Sequence, residues 1–110
     1  MKLYEKYLMK ESINQVKLRS KFKFLDPELQ HKITMDVWHY IDPKTVNKGA
    51  KVFSKEKTFT DELIKRVNLD SYKEYVSDKG LITKMRNVIK GLNLDKSWEY
   101  DKEQKAFIKK

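Results

Sequence analysis

The sequence predicts a single small α+β domain, mostly helical, that ends in helices followed by a β-hairpin. Three observations predict it. Apolar residues recur at helical spacing behind good capping residues, one early segment alternates with period two, and two short aromatic runs near the end flank a polar turn. With 110 residues, 39% of them hydrophobic, the chain has material for one modest core, so 1–110 is read as one domain. Residues 1–15 are set apart as a separate leader or an N-terminal helix.

Leu3, Tyr4, Tyr7 and Leu8 recur at helical spacing and predict a short amphipathic helix over 2–10. The same stretch, MKLYEKYLMKES, resembles the leaders of internal head proteins of large tailed bacteriophages. The shared features are Met-Lys, two spaced aromatics, an aliphatic, then Glu and a small residue. In that family the maturation protease cuts after a Glu that follows an aliphatic or aromatic residue two places earlier. Here Met9-Lys10-Glu11 puts methionine in that place, and the spacing from the aromatics is one residue longer. The resemblance implies a phage origin and a virion or host-cytoplasm setting; it leaves open whether 1–11 are removed.

In VKLRSKFKF, Val16, Leu18, Phe22 and Phe24 alternate with Lys17, Arg19, Lys21 and Lys23. Period two with aromatic and β-branched residues predicts a basic strand over 16–24 with one buried face. Its other face would carry four cations about 7 Å apart. Such a row fits a phosphate backbone and equally fits a guard against edge-to-edge pairing.

Asp26-Pro27-Glu28 is a helix start: Asp accepts from free N–H groups, Pro fits the first turn, and Glu complements the dipole. Leu29, Ile33, Val37 and Ile41 share one face of the helix that follows, flanked by Trp38 and Tyr40. Asp42-Pro43 ends it and opens a turn closed by Gly49. Residues 50–57 read as a connector with Val52 and Phe53 packed down.

Thr60 is expected to cap the next helix, with Asp61 and Glu62 in its first turn, Phe59 and Ile64 at staple spacing, and Leu63, Ile64 and Val67 inward. Ser71 to Glu74 matches a capping box opening a short helix that buries Tyr72, Tyr75 and Val76. Gly80 then suits a left-handed residue after that helix. Over 81–94, Leu81, Ile82, Met85, Val88, Ile89 and Leu92 form one apolar stripe, and Thr83, Lys84, Arg86, Asn87 and Lys90 face away. Gly91 frays its end. SWEY and KAFI flank DKEQ, predicting a hairpin with Trp98 opposite Phe107 and Asp101 opening a type I turn.

The net charge of +9 comes from lysine, with only Arg19, Arg66 and Arg86 as arginines. Residues 1–25 carry seven cations and two anions, and residues 81–110 carry eight and four, while the middle is near neutral. Basic ends attract polyanions: nucleic acid, an acidic protein partner or an anionic lipid surface. Lipid is disfavoured, because helix 81–94 needs its apolar face for the core. The absence of cysteine excludes disulfides, thiolate zinc sites and thiol chemistry. No apolar run approaches the about 20 residues of a membrane span, and no secretory h-region is present, which fits a cytoplasmic setting.

Catalysis has few candidates. His31 and His39 lie two turns apart, too far to chelate one metal, and Asp36 is placed to contact His39 as a surface pair. There is no HExxH, Walker glycine loop or G-x-S-x-G. The expectation is no enzyme, no cofactor and no metal.

Residues 60–110, read as helix, helix, turn, basic helix and hairpin, resemble the second half of a winged helix-turn-helix. The resemblance implies a recognition helix in the major groove and a wing on flanking backbone. Arg86 would read guanine, Asn87 adenine, Thr83 would add a donor, and Lys84 and Lys90 would meet phosphate, with Lys102 and Lys105 on the wing. One departure is that Gly80, as the turn glycine, leaves Arg86 near a position usually apolar in such motifs. If strand 16–24 paired with the hairpin, Lys17, Arg19, Lys21 and Lys23 would flank the same surface. The expected function is a small basic DNA-binding protein. The alternative is a protein-interaction module, such as a phage-encoded binder of a host protein or a structural head component.

Overall fold

The computed structural model describes residues 13–110, and the predicted leader and helix over 2–10 lie outside the described residues. The fold is α+β and mostly helical. Its elements are α1 (Ile13–Ser20), α2 (Pro27–Trp38), β1 (Lys51–Phe53), α3 (Phe59–Val67), a 3-10 helix (Leu69–Glu74), α4 (Lys79–Gly91), a 3-10 turn (Leu94–Lys96), β2 (Trp98–Asp101) and β3 (Ala106–Lys109).

The basic strand is overturned: residues 13–20 are helix and 21–24 are turns. Two periods overlap in this segment. Gln15, Leu18, Phe22 and Leu25 are buried at spacings of three and four, whereas Val16 is 40% exposed. Leu18 and Phe22 belong to both sets, and the helical one wins because it also buries Gln15 and Leu25 as α1 packs on α2, while Val16 is left outside. Within the hairpin, β3 has no free edge for such a strand either. β3 is flanked on both sides, in the order β1-β3-β2, so its second edge is taken by residues 51–53.

α2 starts as its residues dictate. Asp26 is extended, its carboxylate accepts from Leu29 N–H at 3.0 Å, and Pro27 opens the helix. Leu29, Ile33, Thr34 and Val37 are buried, with the Thr34 hydroxyl donating to the Gln30 carbonyl at 2.6 Å. Ile41 lies beyond the helix in the turn that follows. Gly49 has φ +89 and donates its N–H to the Lys109 carbonyl, which fits the predicted turn closure.

The cap of α3 is Thr58, whose side chain accepts from Asp61 N–H, so Phe59 is the first helical residue rather than the staple before it. Thr60 instead meets Asp95: its N–H and hydroxyl donate to the two carboxylate oxygens at 3.1 and 2.9 Å. No capping box forms at Ser71, whose hydroxyl donates back to the Asn68 carbonyl. The 3-10 helix buries Tyr72, and Val76 is buried just after it, but Tyr75 is 62% exposed. Gly80 is not a left-handed terminator. It is the second residue of α4, whose cap Asp78 accepts from Gly80 N–H at 2.8 Å. Among the described residues, the left-handed positions are Asn68, Asn93, Lys105 and Gly49.

The hairpin forms two residues out of the expected register. Trp98 pairs with Lys109 and Tyr100 with Phe107. The turn sets this. Asp101 accepts from the N–H groups of Glu103 and Gln104, and Lys105 takes φ +53, so the loop is Lys102 to Lys105. A slip of two keeps every side chain on its face, and Trp98 still reaches the core, stacked on Phe59 at 4.4 Å between centroids. Phe107 meets the same ring edge-on at 5.7 Å. Phe59, Trp98 and Phe107 therefore fasten the sheet to α3.

Candidate nucleic-acid interface

α4 buries Ile82, Met85 and Ile89 and half-buries Leu81, Val88 and Leu92 against the core. At 3.6 residues per turn, the opposite side is a line through Thr83, Asn87 and Lys90, all exposed. Lys84 is exposed on one flank of that line, and Arg86 is half-buried on the other. No carboxylate lies within the helix, so its outward face presents only donors and neutral groups. Asp78, at its start, is engaged as the cap.

The N-terminal basic segment reaches α4 by another route than a strand. The Lys84 ammonium lies 5.8 Å from the centre of the Phe24 ring, a cation–π contact, and Phe24 is tilted against the fully buried Phe22 at 6.3 Å. Lys21 and Lys23 are exposed on that same turn. Lys17 is exposed on α1, whereas Arg19 is half-buried there. The structure thus joins the turn carrying Lys21 and Lys23 to Lys84, with Lys17 and Arg19 in the last turn of α1 just before it.

The β2–β3 turn, the wing of the sequence reading, carries Lys102 and Lys105, both exposed. Its geometry rests on Asp101, which also accepts from the Gln104 side chain at 3.0 Å. Hydrogen bonding holds the Asp101 carboxyl below its ordinary range, first through the Gln104 backbone N–H, then the Gln104 side chain, the Glu103 N–H and nearby Lys51. From α4 the chain reaches the wing through Asn93, in left-handed conformation, and the 3-10 turn.

Phe53 was expected inside and is 64% exposed, while Val52 is buried. The sequence held the signal: adjacent strand residues point to opposite faces, so both cannot pack down. Behind Phe53 lies a buried polar cluster. Glu62, 5% exposed, accepts from the Ser54 hydroxyl at 2.7 Å and is paired with Arg66, which also donates to the Phe53 carbonyl at 3.0 Å. Glu62 pushes Arg66 further towards its charged form.

His39 packs edge-on against Tyr40, and Asp36 engages Lys32 and Tyr72 rather than His39. Among the described residues, no three His, Asp or Glu side chains gather as metal ligands, and no helix is long and apolar enough to cross a membrane. Comparison with protein-family models, curated proteins and solved structures gave no match to the chain.

Proposed function

We propose that the chain is a small, non-enzymatic, basic protein that binds DNA by laying the outward face of α4 in the major groove. The observation that carries this reading is the acid-free line of Thr83, Asn87 and Lys90, extended through the Lys84–Phe24 contact to Lys21 and Lys23. Asn87 has the donor–acceptor pair that suits adenine. Lys84, Lys90 and the wing lysines Lys102 and Lys105 suit phosphate. Arg86, half-buried, serves from the flank, as a guanine reader only where the groove edge comes to it. The Met1–Ser12 resemblance supports a phage origin, with host cytoplasm or virion as the setting.

The test is anisotropy titration of a random duplex over a series of salt concentrations. Four to six phosphate contacts give a slope of log affinity on log salt between about −3.6 and about −5.4. Joint replacement of Lys84 and Lys90 by Glu lowers affinity at least about tenfold. No binding at about 50 mM salt overturns the reading.

A second reading, a protein-interaction module, is favoured by one observation: Tyr75 stands exposed beside a cavity lined by Asp26, Glu28, Leu29 and Lys32. A partner captured after nuclease treatment, and lost in Tyr75→Ala but not in the Lys84/Lys90 double variant, would favour it.

A further inference from the structure

Between the end of β1, α3 and the wing turn, an open pocket of about 470 Å³ is lined by Phe53, Lys55, Glu62, Lys65 and Lys105. Phe53, the most exposed large hydrophobic side chain among the described residues, lines it from an edge strand. An exposed aromatic on a sheet edge invites unwanted pairing, and here three lysines line the pocket with it. The charges are not balanced from within. Glu62 is buried and already satisfied by Arg66 and Ser54. Lys65 reaches Glu56 at 3.7 Å, but both side chains are substantially exposed, so that pair is weak and readily exchanged for another anion.

We propose that this pocket is a subsite for an unpaired nucleotide, whose base stacks on Phe53 while its flanking phosphates meet Lys55, Lys65 and Lys105. Aromatic platforms set among cations hold single strands in this way, because every base has a π-face and every linkage a charge. An acidic peptide would satisfy the lysines but offers no matching face to the ring. The volume lies within the range of small-molecule sites. Lys105 belongs to the wing as well, so a strand leaving a duplex along the wing comes directly to the pocket. The inference rests on the duplex reading for that approach, and it changes the ligand from a plain duplex to a duplex–single-strand junction.

The experiment compares three probes by anisotropy at one salt concentration: a blunt random duplex, the same duplex with a short thymidine overhang, and thymidine oligomer alone. The parent protein is expected to prefer the tailed duplex over the blunt one by at least about fivefold, the lower bound for one stacked base. Phe53→Ala collapses that ratio to about one, and Phe53→Tyr, which keeps the ring, restores it. Equal affinity for tailed and blunt duplex in the parent overturns the inference while leaving the duplex reading in place. Binding of the oligomer without the blunt duplex supports the pocket and overturns the duplex reading. No binding to any probe overturns both. Displacement of the overhang by polyglutamate as readily as by thymidine oligomer overturns the inference in favour of an acidic protein partner.

Discussion

Tyr72 is fully buried, and its hydroxyl donates to Asp36 at 2.8 Å while Lys32 sits over its ring at 5.2 Å and pairs with the same carboxylate. Burial, and then the neighbouring carboxylate, push its ionisation well above the ordinary 10.0. The unfolded chain ionises this phenol near pH 10, whereas the folded one does not. Its contribution is therefore complete below that pH and is lost progressively as pH rises above it. Tyr72→Phe is expected to flatten the fall of the urea midpoint between about pH 9 and about pH 11. At neutral pH the same change costs about 1 kcal/mol, the lost hydrogen bond to a carboxylate that keeps Lys32. Parallel pH curves for the two proteins would exclude the phenol as the source of alkaline sensitivity.

At the level of elements, α3 begins with two caps, Thr58 from its own segment and Asp95 from the turn that follows α4. The second ties the start of one helix to the approach of β2. Asp95→Ala should lower stability by about 1 kcal/mol in urea unfolding, more than the same change at exposed Glu99; equal losses would show the bridge to be ornamental. This contact was invisible in the sequence because nothing local joins Thr60 to Asp95. The same divide runs through the fold. The start of α2 was legible, since Asp26, Pro27 and Glu28 act within one turn. The apolar stripe of α4 was legible too, and with it the outward placement of Thr83, Asn87 and Lys90. Segment 16–24 was not, because it satisfies period two and helical spacing together and only packing on α2 separates them. Strand β1 was not, because its partner is supplied by β3, and the pocket beneath Phe53 went unseen with it.

For the whole molecule the governing quantity is a charge of +9, with the ion pairs Lys32–Asp36, Arg66–Glu62, Lys65–Glu56 and Lys73–Asp70 among the described residues. These are local and leave the basic turn, α4 and the wing facing mostly like charge. Salt should then act with opposite signs on the two properties of the protein. Raising it from about 20 to about 200 mM screens self-repulsion and lifts the thermal midpoint of the free protein by a few degrees. On the proposed reading, the same range weakens duplex binding steeply. Calorimetry and anisotropy on one dialysis series test this, and a midpoint that falls with salt would show that attractive pairs dominate the surface.

The pairing of β1 with β3 joins residues about 55 positions apart, and closing a loop of that length costs about 3.5 kcal/mol beyond a constant. The hairpin β2–β3 is local and can form first, but two strands alone are marginal in water. The third strand is therefore expected to arrive after α3 and α4 have drawn the chain back upon itself. Phe53 is then expected to reach the wing last, with the rim of the pocket formed late in folding. A chain still emerging during synthesis would hold the lysines of α4 some time before it held the aromatic edge that completes the wing.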